Sequence, residues 1–495
     1  MAQRKTKRVL VVGAGPGGLT AAMILGRRGY EVEVFEKQPQ VGGRNARIAL
    51  GDFRFDIGPT FLMMKQVLDQ VFAEAGVDGD TLLDTTRLDP LYRLQYDDRV
   101  VEPRSDPEDM KREIGRVFPG REATYDAFLK REGARFDRLL PCLQRPYPTL
   151  GSLLSADLFK AVPHLAAGKS LYQLLNGYFT DPKLTLSFTF QAKYLGMSPW
   201  ECPALFAIIP YIEHHFGIYH VRGGLNRISA AMAETAAGHG VKIHLGRPVR
   251  QLVLEGRKAV GLALEDGETV RGDAVVVNAD FAHAMTHLVP PGALRKYAPE
   301  KIAKKRFSCS TFMLYLGLDK LYDSPHHRIV FAKDYRRNVS EVFGGGRLSD
   351  DFSVYIHNPS ATDPTLAPEG QSAVYVLVPA PNLRADVDWA VEGPRLREQV
   401  LDAMETRAGM SDLRRHIVAE KMVTPRNWED DFNVHIGATF NLAHNFGQLL
   451  YFRPRNRFEE LDQCYLVGGG THPGSGLPTI YQSGLIAADM ISRCP

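Results

Sequence analysis

The stretch VLVVGAGPGGL, residues 9–19, decides the fold. Its apolar run stops at Gly13, and glycine returns at Gly15 and Gly18 in the GxGxxG spacing. The chain continues with TAAMILGRRG (20–29), which is typical of a helix, and EVEVFEK (31–37), which alternates like a strand. A strand, a glycine turn, a helix and a second strand within about 30 residues predict a Rossmann-type dinucleotide-binding unit.

Each residue type in this turn has a physical reason. Gly13 permits the tight turn, Gly15 lets the backbone approach a pyrophosphate, and Gly18 allows close packing of helix on strand. The helix that starts here points its free N–H groups at the phosphates. Glu36 ends the second strand-like run, where a carboxylate accepts hydrogen bonds from ribose hydroxyls.

A secretory leader is the alternative interpretation of the N-terminus, because MAQRKTKR (1–8) is basic and an apolar stretch follows it. That stretch contains four glycines and a proline and is too short to span a bilayer. The strand-like alternation that follows favours the dinucleotide-binding interpretation.

Composition limits the possible functions. A chain of 495 residues has room for two or more domains. Sixty lysines and arginines against 57 acidic residues leave a net charge of +3, which argues against nucleic acid as a partner. We interpret the basic clusters at residues 4–8 and 301–306 as solvated faces, with a membrane-surface role as the alternative. No stretch is long and apolar enough to cross a bilayer.

The cysteines are odd in number and include no CxxC pair, which predicts a reducing compartment and no structural zinc. They are Cys142, Cys202, Cys309, Cys464 and Cys494.

Further glycine clusters follow along the chain. VGGR (41–44) and FDIGPT (55–60) combine backbone access with a cation at Arg44, which suits a flavin nucleotide better than a nicotinamide. Two ordinary turns are the alternative. Dinucleotide-domain patterns return at RGGLNRISAAMAETAAGHGVKIHL (222–245) and in the strands up to VVVNAD (275–280), and they end with YLVGGGTHPGSGLP (465–478).

We therefore predict an α/β fold with a Rossmann-like FAD-binding domain assembled from discontinuous segments, residues 1–64, 216–290 and 456–495. Residues 65–215 and 291–455 form an α+β substrate and membrane-facing domain. Its first part is helical, because DMKREIGRVF (109–118) and YDAFLKREGARFDRLL (125–140) are amphipathic at helical spacing.

The GGR that follows a glutamate-ended strand belongs to a large class of FAD oxidoreductases that includes amine oxidases and carotenoid desaturases. DPTLAPEGQSAVYVLVPAPNL (363–383), YFRPRNR (451–457) and THPGSGLP (471–478) together resemble the bacterial-type phytoene desaturases. Amine oxidases usually carry an acidic residue at the position of Gly470, which favours the desaturases. The resemblance covers the chain from Val9 to Met490.

The resemblance implies FAD as cofactor and a lipophilic polyene as substrate. The flavin takes a hydride from an allylic carbon while the neighbouring carbon loses a proton. The segment that matches 216–290 lies against the adenine, with backbone contact at Val249. We assign cofactor binding to Gly13, Gly15, Gly17, Gly18, Glu36, Lys37, Gly43, Arg44, Gly58, Pro59, Thr60, Val249, Asn278, Gly470, Leu477, Pro478 and Ile480.

A polyene of this kind dissolves in membranes, so we expect a cytoplasmic protein bound peripherally, in monotopic fashion, to the inner face of the membrane. Residues 150–180 are the candidate attachment segment. The sequence indicates no oligomeric state and no final electron acceptor.

No catalytic residue and no metal site emerge from the sequence. The pairs His214–His215 and His326–His327 lack a third ligand at metal spacing and are interpreted as structural. His472 lies in the glycine turn, and we expect it to be a positioning residue.

Three functional alternatives remain open at this stage. The polyene is either phytoene or a C30 diapophytoene-type precursor. Related enzymes that isomerise, saturate or oxygenate polyenes share these motifs. A flavin-free prenyl-lipid carrier, like the Rab escort and GDP-dissociation inhibitor proteins, has the same fold.

Overall fold

The structure is a computed structural model that describes residues 7–344 and 346–493. Residues 4–6 of the first basic cluster and Cys494 lie outside the described residues. In the second cluster, Lys301, Lys304 and Arg306 are exposed, as predicted for a solvated face. The other four cysteines are buried and unpaired.

Within the described residues, twenty strands form five sheets. In chain order they are β1 (Arg8–Val12), β2 (Glu31–Phe35), β3 (Arg47–Leu50), β4 (Phe53–Asp56), β5 (Leu62–Met63), β6 (Thr85–Arg87), β7 (Arg93–Gln95), β8 (Val100–Val101), β9 (Ile218–Val221), β10 (Lys242–His244), β11 (Val249–Glu255), β12 (Lys258–Leu264), β13 (Thr269–Arg271), β14 (Ala274–Val277), β15 (Ser310–Leu318), β16 (His327–Val330), β17 (Val354–His357), β18 (Ser372–Ala380), β19 (Ile417–Val423) and β20 (Cys464–Leu466).

Sixteen α-helices accompany them in the described residues, together with short 3₁₀ and π segments. They are α1 (Pro16–Arg27), α2 (Lys65–Glu74), α3 (Gly79–Leu82), α4 (Pro107–Val117), α5 (Ala123–Leu143), α6 (Ala156–Ala161), α7 (Leu171–Phe179), α8 (Pro182–Ser187), α9 (Ile208–Phe216), α10 (Asn226–Gly238), α11 (Phe281–His283), α12 (Pro299–Ile302), α13 (Tyr335–Val339), α14 (Trp389–Thr406), α15 (Pro425–Asp430) and α16 (Leu477–Arg493).

A five-stranded sheet in the order β10-β2-β1-β14-β20 forms the centre of the first layer, and all its pairs are parallel. Its strands come from three separate stretches of chain, because β10 and β14 return from mid-sequence and β20 from the end. β1 and β14 are rich in buried valine, as expected for strands covered on both faces. The carboxyl ends of β1, β2, β14 and β20 meet at one edge, where ligands bind in open α/β sheets.

Helices α1, α10 and α16 cover one face of this sheet. α1 packs against both of the others, and small residues permit the approach. A Cβ added to Gly484 of α16 would lie 2.8 Å from the carbonyl oxygen of Gly17, so no larger residue fits there without a shift. The antiparallel sheet β11-β12-β13 packs on the opposite face.

A seven-stranded sheet in the order β19-β15-β18-β17-β16-β7-β8 forms the second layer. Side chains alternate along its central strands, so one face packs under α14 through Leu314, Val374 and Val376. The other face presents Tyr315 and Tyr375 to the loop that follows β4.

The region predicted to be helical contains α2 to α9. The two amphipathic stretches form α4 and α5, which confirms the helix prediction. The core of this region is aromatic, and Phe128, Phe179 and Phe188 are fully buried in it. Within the described residues, no helix combines the length and apolar character needed to cross a membrane.

Candidate functional site

A cavity of about 470 Å³ lies at the carboxyl edge of the parallel sheet and extends to the seven-stranded sheet. All but two of the sequence-predicted cofactor residues line it. They are Gly13, Gly15, Glu36, Lys37, Gly43, Arg44, Gly58, Pro59, Thr60, Val249, Asn278, Gly470, Leu477, Pro478 and Ile480. The structure thus brings together residues from the beginning, the middle and the end of the chain.

Gly17 and Gly18 do not line the cavity but shape the turn beneath it. A Cβ on Gly18 would lie 2.3 Å from the carbonyl oxygen of Gly13, so only glycine permits this contact of helix with strand. A Cβ on Gly17 would lie 3.1 Å from the amide nitrogen of Gly468, which joins the first glycine turn to the last one. Gly13 itself has a φ of +92°, in the region that glycine favours.

Glu36 is buried at the end of β2, and backbone donors orient its carboxylate. Oε2 accepts the N–H of Ala14 at 2.8 Å, and Oε1 accepts the N–H of Gln38 at 2.9 Å. Each carboxylate oxygen can accept more than one hydrogen bond, so lone pairs remain for ribose hydroxyls. The side chain is therefore preorganised for the role predicted from the sequence.

Asn278 follows β14 and covers the glycine turn. Its Nδ2 donates to the Gly13 carbonyl at 3.2 Å, and a Cβ on Gly15 would lie 2.9 Å from the same nitrogen. The turn is therefore packed on its protein side, and its opposite side is open to the cavity.

The loop at residues 55–60 is fixed at both ends. Asp56 accepts the backbone N–H groups of Leu225 and Asn226, both at 2.9 Å, and thus caps the start of α10. Burial raises the pKa of the Asp56 carboxyl. At the other end, Thr60 shares a 2.6 Å hydrogen bond with the hydroxyl of Tyr355.

Arg44 extends across the cavity from the first turn of its short helix. Its Nη1 donates to the carbonyl of Thr439 at 2.6 Å. Asp280 also lines the cavity, and burial raises its carboxyl pKa, an effect that the Arg44 charge opposes. The guanidinium and the backbone N–H groups provide the positive surroundings that a flavin nucleotide needs.

Buried Arg453 holds the C-terminal glycine loop in place. Its guanidinium donates to four backbone carbonyls, at 2.6 Å to Gly469, 3.0 Å to Thr471, 3.1 Å to Gln448 and 3.2 Å to Leu442. No carboxylate pairs with it in the described residues, and burial lowers the pKa of Arg453 to about 9. The sequence contained this arginine in YFRPRNR but gave no indication of its role.

His472 lies outside the cavity lining. Its Nε2 is 2.9 Å from the carbonyl oxygen of Arg145, and its ring meets Tyr147 edge-on. It therefore connects the glycine loop to the end of α5. The expected positioning role stays a prediction, but its contacts are with protein rather than with the cavity.

Three comparisons with known proteins agree with this geometry. The model of the family described as flavin containing amine oxidoreductase matches residues 16–492. The chain belongs to this family. It is 55% identical over 488 residues to a 4,4'-diapophytoene desaturase (4,4'-diapolycopene-forming) from Methylomonas sp., covering 99% of this chain and 96% of that protein.

A second curated relative is a zeta-carotene-forming phytoene desaturase from Myxococcus xanthus, 37% identical over 99% of this chain and 94% of its own. Within the family, this chain is therefore a carotenoid desaturase. The fold also resembles the crystal structure of an oxidoreductase from Methanosarcina mazei, with a TM-score of 0.63 and 17% identity over 98% of this chain and all of that one.

Membership makes this carotenoid desaturase an FAD-dependent oxidoreductase that acts on CH–CH bonds, and the lining fits that cofactor. The glycine turn is open on its cavity side, the Glu36 carboxylate is oriented by backbone donors, and Arg44 supplies positive charge. The assignment of individual residues to the phosphates, the ribose and the ring system stays a prediction.

The apolar part of the cavity contains a residue that sequence reasoning missed. Lys193 lines it beside Cys309, and its Nζ lies 4.7 Å from the ring centroid of Tyr335. The ammonium of Lys193 makes no hydrogen bond or ion pair within residues 7–344 and 346–493. Burial lowers the pKa of its ammonium to about 7.

The two histidine pairs have different surroundings. His214 is buried against Phe188, with its Nδ1 3.1 Å from the hydroxyl of Tyr125, and His215 is exposed. His326 and His327 are buried at the start of β16, beside two further histidines that the sequence did not associate with them. A second cavity, of about 550 Å³, touches His214 and His215 but none of the predicted cofactor residues.

Proposed function

We propose that this carotenoid desaturase acts on a C30 polyene of the 4,4'-diapophytoene type. The relative with 55% identity is named for that substrate, and it aligns over almost the whole chain. The apolar cavity beside the flavin residues supports a hydrocarbon substrate, since Phe190, Ile329 and Phe343 line it. The sequence alone leaves C40 and C30 substrates open, and we propose the C30 substrate.

Bound FAD supplies the acceptor for the hydride that leaves an allylic carbon of the substrate. The neighbouring carbon must lose a proton, and the protein has to provide a place for it. We assign that role to Lys193, because its uncharged amine is the basic group that extends into the apolar part of the lining. The proton passes to Nζ and forms an ammonium, which the face of Tyr335 stabilises.

Two strains of a bacterial host test the substrate assignment, one that makes the C30 precursor and one that makes phytoene. Expression of this chain is expected to give new visible absorption bands in pigment extracts of the C30 strain. The band positions report the number of conjugated double bonds. Bands in the phytoene strain alone would contradict the assignment.

Colourless extracts from both strains, with FAD bound to the purified protein, would instead favour a polyene isomerase, saturase or oxygenase. The flavin-free carrier needs no FAD at all, so flavin content separates it from every enzyme alternative. The family membership and the desaturase relatives favour the enzyme.

The protein also binds the inner face of the membrane peripherally in our proposal. Five exposed apolar side chains support this, and four of them lie within the predicted attachment segment. We call them the apolar rim: Leu150 (63% exposed), Leu154 (76%), Phe159 (65%), Val162 (55%) and Phe452 (54%). The exposed cation Lys160 lies among them in the chain, where it can meet anionic lipid.

Liposome flotation tests this surface. The double variant Leu154→Ser/Phe159→Ser is expected to lose most of its vesicle binding while it keeps its FAD. The matched control is Val391→Ser/Val418→Ser, because these valines are 61% and 57% exposed but lie outside the rim. Equal vesicle binding by the wild type and both variants, or no binding by the wild type, would show that the apolar rim is not a membrane-binding surface.

A further inference from the structure

Four histidines that are distant in sequence are buried together at the boundary between two sheets. His220 lies on β9, His326 precedes β16, His327 opens β16, and His357 ends β17. All four are less than 9% exposed. The flavin and substrate sites described above use none of them directly, although the hydroxyl of Tyr355 joins His327 to Thr60.

Three of these side chains lie close enough together to share one metal ion. One ring nitrogen from each of His220, His326 and His357 lies within 4.8 Å of the others. The Nε2 atoms of His326 and His357 are 3.2 Å apart. Two imidazole nitrogens on one tetrahedral zinc ion lie about 3.3 Å apart, given zinc–nitrogen distances of about 2.0–2.1 Å.

The outward nitrogens of the same rings already have partners of the kind that metal-bound histidines use. His220 Nε2 lies 2.9 Å from Asp363 Oδ2, and His326 Nδ1 lies 2.7 Å from the hydroxyl of Thr362. Such contacts fix the tautomer and direct the other ring nitrogen inward. Nδ1 of His220 is buried and has no hydrogen-bond partner among the described residues, which is costly unless something binds it.

We propose that His220, His326 and His357 bind a divalent transition-metal ion, most suitably Zn²⁺. Neutral imidazoles favour zinc, copper, iron and nickel over magnesium or calcium, which prefer oxygen ligands. Asp363 supplies a negative charge one hydrogen bond away from the ion. Three protein ligands leave a fourth position for water.

The proposed metal site connects the loop at residues 58–60 to the seven-stranded sheet. His357 belongs to the seven-stranded sheet, whereas His220 lies on β9, which pairs with β5 directly after Thr60. An ion bound by both therefore restrains the distance between the loop at residues 58–60 and the sheet that lines the apolar cavity. Metal binding at this site does not depend on which polyene the enzyme takes.

Metal analysis of the tag-free, FAD-loaded enzyme tests the proposal. After production in zinc-supplemented medium and passage over a chelating resin, we expect about one zinc per chain by mass spectrometry. The variants His357→Gln and His326→Gln should each retain less than a tenth of that amount. His239→Gln is the matched control, because its Nε2 bonds the Ala75 carbonyl far from the cluster, and it should keep the full content.

A second measurement does not depend on whether the variants fold. Stripping the wild type with a strong chelator is expected to lower its melting temperature by several degrees, and added Zn²⁺ or Co²⁺ should restore it, whereas Mg²⁺ should not. Cobalt should also give visible d–d bands. Wild-type enzyme without stoichiometric metal, and with a melting temperature indifferent to chelator and zinc, would show that the cluster is a hydrogen-bonded group only and would overturn the proposal.

Discussion

The hydroxyl of Tyr375 donates to the carbonyl oxygen of Gly58 at 2.9 Å, although 317 residues separate them. A second tyrosine of the same sheet, Tyr315, donates to the carbonyl of Ile57 at 2.6 Å. The seven-stranded sheet thus sets the position of a loop whose residues Gly58, Pro59 and Thr60 line the cavity. The seven-stranded sheet and the cavity-lining loop that follows β4 are therefore held in one frame.

Replacement of Tyr375 by Phe removes one of these hydrogen bonds and leaves the Gly58 carbonyl without its donor. We expect a loss of about 1 kcal/mol in the free energy of unfolding, together with weaker FAD retention. Denaturant melts and the ratio of flavin to protein absorbance measure both effects. Tyr322→Phe is the control, since its hydroxyl bonds Ser411 away from the cavity. Equal flavin loss in the two variants would argue against the shared frame.

Replacement of Glu36 by Ala is expected to weaken FAD binding by about tenfold to a hundredfold, because a charged acceptor for the ribose hydroxyls is lost. Fluorescence titration of the apoprotein with FAD gives the dissociation constant. Glu234→Ala, on the exposed face of α10, should bind FAD like the wild type. Unchanged affinity in the Glu36 variant would refute the role assigned to this carboxylate.

Activity should depend on pH, because Lys193 can accept the substrate proton only when its amine is uncharged. Burial lowers the Lys193 pKa to about 7, so the uncharged amine predominates above that pH and activity should rise through pH 7 to a plateau. Lys193→Met should lower turnover by about a hundredfold to ten-thousandfold and abolish this rise. Lys193→Arg, which stays charged, should be equally slow but keep its FAD. A methionine variant with the wild-type pH profile would exclude Lys193 as the proton acceptor.

Stability has a matching pH dependence. In the unfolded chain this lysine has a pKa of about 10.4. Between about pH 7 and about pH 10, Lys193 is therefore protonated in the unfolded state but not in the folded state. The free energy of unfolding of the wild type should therefore fall as the pH decreases from about 10 to about 7. The corresponding decrease should be smaller in Lys193→Met, as urea melts across that range would show.

Replacement of Arg453 by Met removes the donor for four buried carbonyls. We expect destabilisation of about 3 kcal/mol or more, and loss of flavin, because the glycine loop at residues 468–476 depends on the bonds to Gly469 and Thr471. Arg457 lies in the same YFRPRNR stretch but is exposed. The free energy of unfolding of the control variant Arg457→Met should be within about 0.5 kcal/mol of the wild-type value. Near-equal stability of the two variants would contradict the structural role of Arg453.

The sequence predicts the parallel sheet and the nucleotide turn well, because their signals are local. Gly13, Gly18 and Glu36 stand at fixed offsets around one helix, and the backbone conformation of the turn demands glycine there. The return of the chain at Asn278 and Gly470 was also predictable, since each follows a short apolar strand. The extents of the two domains stay a prediction.

Lys193 and the histidine cluster gave no comparable signal. Lys193 lies in an aromatic-rich stretch that core packing explains equally well, and only the folded structure shows that its side chain lines the cavity. His220 and His357 are brought to His326 by pairing between strands that are far apart in sequence. No spacing rule along the chain predicts this proximity. The sequence therefore shows His326 and His327 as a pair but does not indicate the cluster of four histidines.

The position of β20 and α16 has a consequence for how the protein is made. The chain emerges from the ribosome with β1 and α1 first, yet β14 lacks its outer neighbour and α1 lacks its partner helix until residues 464–493 appear. A nascent or truncated chain therefore exposes the apolar side of α1 and has an unfinished flavin cradle. FAD can therefore be bound only after the ribosome has translated the chain through α16.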